Sequence, residues 1–435
     1  MNNRLSQAID GLAPSLADLF KKIGTRTGDK TGISRDAYGS IETAAGNILI
    51  DYARQHGLVA VFDRVGNVNF TTPIHSESDR ELLIGSHIDS VPRGGNYDGL
   101  AGVIAGIGTL IALRDSGQTS HRCIRTLAFR GEESPWFGTA YLGSKLFTGQ
   151  MTKAETETMR RFDTGKTLLE HLLEIGVVPA DVDAGPVVPF DRIRAYLELH
   201  IEQGPLLEDL SKPIGLATAI RGNIRYPFAK CFGRYAHSAA VPRHLRHDAL
   251  MATVKLIAFA DQRWKAEIDA GHDDLVFTCG IFQTNSTEHS MTKIPGEITF
   301  TLNIGSISDD VMERMHRDIA DKADILAKEH HVRFDFGKRV GTGAVGLSAD
   351  ITKTFVRAAE TVGIVPHSLP TVGHDAAMFA RNGVPTGMIL VRNTNGSHNP
   401  EEHMEMNDFI DGLKVLASSA NEIVSQTNWC GADEK

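Results

Sequence analysis

Cysteine is scarce. The chain of 435 residues has four, at positions 123, 231, 279 and 430, and no two form a CxxC pair. That spacing fits reduced thiols in a cytosolic protein better than a disulfide framework. Positive charge is also short: Lys and Arg total 45 against 54 Asp and Glu, a formal net charge of -9. This argues against a nucleic-acid binder that works through bulk positive charge. No apolar run has transmembrane length, and the opening MNNRLSQAIDGLAPSLADLF is an amphipathic helix without a signal-type apolar core. Internal repeats and low-complexity tracts are absent. What is present is ordinary for a globular protein: 41% hydrophobic and 23% charged residues. The length suits one large domain or two ordinary ones. The expectation is a cytoplasmic protein with neither nucleic-acid nor membrane partners. Histidine is generous at 18, and several lie beside carboxylates or glycines.

Along the chain, helical and strand periodicities alternate. Residues 1–22 and 41–56 read as helices, and LVAVFDRVGNVNFTT as a hairpin turning at 63–66. ELLIGSH is a strand followed by the apolar helix LAGVIAGIGTLIAL, and RTLAFRGEESPWFG is a strand entering a polar loop. Residues 144–190 are mostly helical, and RAYLELHIEQGPLLED is a strand ending at His200 and Glu202. The texture changes near Pro213 to hairpins with two long helices, and βα texture returns from about Val332. PHSLPTVGHDAAMFARNG reads as a loop entering a helix, PTGMILVRN as a strand, and 407–425 as the last helix. The fold class is therefore α/β. A main catalytic domain (1–212 and 332–435), with a mixed sheet flanked by helices, is interrupted by a smaller α+β domain (213–331) of a sheet plus two helices.

Chemistry gathers on the loops after the apolar runs, where open α/β sheets place their ligands. LIGSHIDSVPRGGNYDGLAG carries His87 and Asp89 at a strand end, then a Gly-rich loop and Asp98. Alone, this stretch fits a structural histidine with capping aspartates as well as it fits a metal site. Three further loops decide: Glu132-Glu133, His200 and His398 each follow an apolar run. Three imidazoles, one terminal carboxylate and one shared carboxylate would hold two divalent ions, polarise a carbonyl and generate hydroxide near neutral pH. Paired glutamates allow one to coordinate while the other remains a general base.

GSHIDSVPRGGNYDG, GEESPWFG, ELHIEQGPLLE, GRYAHSAAVPRHLRHDA, GHDA and GSHNPEE resemble, in order and over nearly the whole chain, the dinuclear metal amidohydrolases of the aminoacylase/carboxypeptidase superfamily. The branch is that of N-carbamoyl-L-amino-acid hydrolases, β-ureidopropionases and allantoate amidohydrolases. The resemblance implies that His87 and His200 hold one metal and Glu133 and His398 the other, with Asp98 bridging. It makes Asp89 the residue orienting His87, Glu132 the base, and Gln203 a contact to the amide or ureido group. It makes His237 the oxyanion donor, supplied across a homodimer by the inserted dimerisation and lid domain. Arg246 and Asp248 read as structural. Zinc, manganese, cobalt or nickel all suit such ligands.

The sequence also departs from that pattern. Thr292 and Gly305 stand where the family carries an Asn and a carboxylate-clamping Arg, Asn303 where it is acidic, and Trp136 where it has Arg. Arg to Gly removes a fork of charge-assisted hydrogen bonds worth roughly 1.5–3 kcal/mol each. Gln203, Thr292, Gly305 and Trp136 are thus the expected substrate-binding positions. The leading expectation is a hydrolase of non-peptide C–N bonds in linear amides, amidines or ureido compounds, acting on a small molecule other than a simple N-carbamoyl-α-amino acid. The alternative within enzymes is an ordinary N-carbamoyl-L-amino-acid or allantoate hydrolase with Arg243 or Arg392 as a relocated clamp; a peptidase of the superfamily stands third. From another class, a metal-binding scaffold with a degenerate site would be expected to have lost a ligand, and none is missing here.

Overall fold

The computed structural model describes residues 3–76 and 80–426, and Cys430 falls outside them. The chain divides into two compact units, one comprising residues 1–218 and 347–435, the other 219–346.

The first unit is organised by a mixed sheet, as the sequence pattern implies. Across it lie, in order, Ile214–Ile220, Thr386–Val391, Ile193–Ile201, Glu81–His87, Ile124–Phe129, Val68–Thr71 and Val59–Phe62. The four strands from Thr386–Val391 to Ile124–Phe129 run parallel, and the flanking pairs are antiparallel. Glu81–His87 is buried at every position, as a near-continuous apolar run in a sheet covered on both faces should be. The helix Leu100–Asp115 is buried from Leu100 to Leu113. Fully burying each of its Leu, Ile and Val side chains contributes roughly 1.5–3 kcal/mol. Its approach to the sheet needs Gly102, where a Cβ would meet the Leu199 carbonyl oxygen at 2.2 Å. Helices Asn3–Thr27 and Met406–Ser425 complete this layer.

Several segments differ from the sequence expectation. Ile214–Ile220, expected to open the inserted domain at residue 213, is a strand of the first unit's sheet. Residues 367–371 form a strand alongside Ile214–Ile220 rather than a loop. The second unit also extends past Val332 to Gly346, because the short strands Arg333–Asp335 and Val340–Thr342 pair with Gly222–Phe232. That pairing spans about a hundred residues and leaves no local mark in composition.

The second unit is an antiparallel sheet centred on Gly222–Phe232 and Glu297–Ser306, with helices Ala249–Asp269 and Asp309–His330. Alternation along Glu297–Ser306 puts Ile298, Phe300, Leu302 and Ile304 into one core with Leu256, Met315 and Ile319. Asp248 caps the first helix by accepting from the Met251 N–H at 3.0 Å.

Candidate metal centre

The parallel strands deliver their C-terminal ends to one place. His87 closes Glu81–His87, and His200 lies in the last turn of pleat of Ile193–Ile201. Their ring Nε2 atoms face each other at 3.5 Å. Each Nδ1 meets a main-chain carbonyl, that of Asp89 at 3.2 Å and that of Ile201 at 2.9 Å. Only an N–H satisfies a carbonyl, so in the neutral rings the lone pairs sit on Nε2. The Gly99 N–H, 3.2 Å from His200 Nε2, agrees.

Asp98 stands between these rings and a second group. Its Oδ1 lies 3.4 Å from His87 Nε2 and 3.2 Å from His200 Nε2. Its Oδ2 lies 3.5 Å from His398 Nε2, which is itself 3.3 Å from Glu133 Oε1. One carboxylate therefore turns one oxygen to each of two ligand sets. Oδ1 is buried and has no hydrogen-bond partner among the described residues, which a native fold rarely tolerates unless something fills the need. Divalent cations fit this donor set: imidazole nitrogens and carboxylate oxygens converge within 4.8 Å of one another in both groups.

Asp89 explains how the paired glutamates are held. Its two oxygens accept from the main-chain N–H groups of Glu132, at 2.9 Å, and Glu133, at 3.0 Å. Glu132 Oε2 ends 3.9 Å from His87 Nε2. Burial lifts the pKa of Glu132 well above the ordinary carboxylate range, and raises that of Glu133. Burial opposes charge on His87, yet Asp89, Asp98 and Glu132 outweigh it and lift its pKa well above the usual histidine value. The hydrogen bond to Glu133 takes His398 to about 9.

Gln203 donates from Nε2 to Asp98 Oδ2 at 2.7 Å, in a backbone conformation of φ 67°. It therefore lies at the cluster. Trp136 does not. It is 5% exposed, donates to the Ser90 carbonyl at 2.7 Å and stacks on Phe162, with ring centroids 5.4 Å apart. The expected substrate position is a packing position, because the indole fills a local apolar core with Tyr38, Phe137 and Leu142.

The remaining expected residues belong to the second unit, apart from Arg392, which lies in the first. His237 is exposed on a two-residue strand, and its Nδ1 accepts from the Ala239 N–H at 3.1 Å. The neutral ring thus carries its proton on Nε2. Thr292 is exposed, and its carbonyl accepts from the Ser238 N–H. Arg246 donates to the Val241 and Ser238 carbonyls and so shapes the histidine loop. At Gly305 a Cβ would meet Val276 Cγ2 at 2.9 Å, so the neighbouring strand already fills that space. Arg392 is bound to Asp408 through Nε at 2.7 Å and Nη2 at 3.1 Å, which commits it elsewhere. A third arginine, Arg225, is exposed beside Asn303 and donates to its Oδ1 at 3.0 Å.

Two acids near the cluster escaped the sequence reading. Glu402, raised by burial to about 7, bonds the main chain at Tyr97 and Asp98. Glu198, also raised by burial, accepts from Ser86 Oγ and the Ala376 N–H beneath the histidines. Glu402 lies four residues past His398 in GSHNPEE, a spacing that by itself reads as a solvated loop.

Fold and site together define an α/β protein centred on a largely buried histidine–carboxylate cluster. The chain belongs to Peptidase family M20/M25/M40, whose profile matches residues 83–422. It is 30% identical over 387 residues to an N-carbamoyl-L-amino acid amidohydrolase of Geobacillus stearothermophilus, covering 88% of this chain and 92% of that one. It is 28% identical to allantoate deiminase 1 of Glycine max, covering 84% and 80%. A solved hydantoinase/carbamoylase family amidase from Burkholderia multivorans superposes with a TM-score of 0.83 at 25% identity, covering 95% and 98%. Among the described residues no helix is long and apolar enough to cross a membrane.

Proposed function

We propose that this chain is an amidohydrolase, dependent on two divalent cations, that cleaves the C–N bond of a linear ureido or amide compound. The observation that carries the reading is Asp98, one oxygen turned to His87 and His200 and the other to His398 beside Glu133. Relatives named for carbamoyl amino acids and allantoate support the bond type.

His87, His200 and Asp98 would hold one cation, and Asp98, Glu133 and His398 the other. Bound there, the cations supply Lewis acidity toward a carbonyl and toward water. Glu132 does the proton work. Its raised pKa suits a base that takes the proton of the attacking water as the O–C bond forms, and returns it to the nitrogen as the C–N bond breaks. Asp89 keeps both glutamates aimed through their main chain. Gln203 offers its amide to the ureido or amide group. His237, with its proton on Nε2, is the oxyanion donor of this reading, and the second unit is its dimerising lid.

Gly305 directs the substrate reading away from simple N-carbamoyl-α-amino acids, because its side-chain space is filled by Val276. One observation favours the ordinary carboxylated substrate instead. Arg225 stands on the strand paired with the Gly305 strand, beside Asn303, and makes no ion pair among the described residues.

The deciding experiment follows ammonia and amine release from amides and ureido compounds, each with and without an α-carboxylate, using cation-loaded protein. Preference for the carboxylate-free members is the expected result. Preference for the carboxylates, lost in Arg225→Met, would overturn the substrate reading. Silence across the panel in protein that binds cations would overturn the reaction class.

A further inference from the structure

Glu402 joins two loops of the cluster that lie about three hundred residues apart in the chain. Its Oε1 accepts from the main-chain N–H groups of Tyr97, at 2.8 Å, and Asp98, at 3.1 Å. Its Oε2 lies 2.9 Å from Ser397 Oγ, and the same hydroxyl is 2.5 Å from Asp98 Oδ2. The carboxylate thus grips the main chain of the residue shared by both ligand sets and, through Ser397, the residue before His398. The chain makes room for it. A Cβ at Gly95 would meet the Glu402 carboxyl carbon at 2.3 Å, so the glycine-rich loop closes over the carboxylate only because residue 95 has no side chain.

The two ligand sets do not need such help equally. His87 and His200 sit at the ends of paired parallel strands and are almost fully buried. His398 sits on a loop at φ 60°, with its side chain 52% exposed. A ligand on a loop loses conformational freedom on binding unless a rigid neighbour has already removed it.

We propose that Glu402 is a positioning residue that fixes the distance between Asp98 and His398, and so shapes the cation position formed by Asp98, Glu133 and His398. The proposal rests on the reading that the cluster holds divalent cations. Partners behind the ligands commonly change affinity by about 10–100-fold. Here that effect falls on one position and spares the other.

The test is a calorimetric titration of chelator-treated, full-length protein with zinc, paralleled by cobalt absorption spectra. Wild type is expected to take up two equivalents. Glu402→Ala should weaken the second by about 10–100-fold, leave the first within about threefold, and shift the visible bands of the second cobalt ion. Glu402→Gln keeps an acceptor oxygen for the two N–H groups and should recover most of the loss. Gly95→Ala displaces the carboxylate without removing it and should resemble Glu402→Ala. Two equivalents bound by Glu402→Ala and Gly95→Ala as tightly as by wild type would overturn the proposal. So would equal weakening of both equivalents with a parallel fall in Tm, which is the mark of a merely structural role. Wild type that binds no cation would instead overturn the cation reading itself.

Discussion

The Nε2 atoms of His87 and His200 stand 3.5 Å apart on adjacent parallel strands, with both Nδ1 atoms turned to main-chain carbonyls. Two lone pairs so placed repel unless a proton or a cation lies between or beside them. The same competition operates at His398. A raised pKa means that the proton is held below about pH 9 and must leave when a cation arrives. Cation affinity should therefore climb with pH and level off near that value. Calorimetry at neutral pH in buffers of different ionisation enthalpy should register proton release; its absence would contradict the assignment.

Glu132→Gln separates chemistry from assembly. Glu132 is not among the proposed cation ligands, and glutamine preserves its shape. Cation content should stay at the wild-type level while turnover falls by about 10²–10⁴-fold, the usual worth of a positioned general base. Loss of cations in this variant would reassign Glu132 as a ligand.

Asp89→Asn should act at a distance. Both carboxylate oxygens accept main-chain N–H groups, so the amide must turn an NH₂ toward one of them. One glutamate loses its support. A fall of about 10–100-fold in kcat, with the fold retained by circular dichroism, is expected. Unchanged kcat would show that the two main-chain bonds are not needed to aim the acids.

Glu81 offers a test of stability away from the site. It accepts from Arg125 Nε at 2.7 Å and from His75 Nε2 at 3.2 Å. Burial works to raise its pKa, but the bonds from His75 and Arg125 prevail and hold it at about 2, against an ordinary 4.5. A carboxylate depressed in the folded state stabilises above its unfolded pKa, and that stability is lost as pH falls through the folded one. The gap corresponds to about 3 kcal/mol. Glu81→Gln should be less stable by roughly that amount at neutral pH in urea unfolding. The deficit should shrink below about pH 4.5 and vanish near pH 2; a constant deficit would point to packing instead.

The sequence made much of the cluster legible because His87 and His200 end apolar runs and Glu132 and Glu133 closely follow one. The last residues of parallel strands gather at one end of the sheet, so the pattern alone puts His87, Glu132, Glu133 and His200 together there. Trp136 misled because it stands three residues past Glu133 in a polar loop. Only the fold reveals Phe162 stacked against it. Glu402 was invisible for a related reason: its partners, Tyr97 and Asp98, lie about three hundred residues earlier. The end of the second unit was likewise set by strand pairings that no local pattern announces.

The Thr386–Val391 strand lies between Ile193–Ile201 and Ile214–Ile220, yet the whole second unit separates it from both in the chain. During synthesis the earlier half of the sheet emerges with a buried-type strand as its open edge, and that edge waits for more than a hundred and fifty residues. Such an edge is a template for pairing with other chains. Folding the inserted unit early shortens the effective loop that must close, since a compact body brings its two ends together. The insertion then acts as a clasp for the biosynthesis of the first unit, and expression without it should yield aggregate rather than a smaller working enzyme.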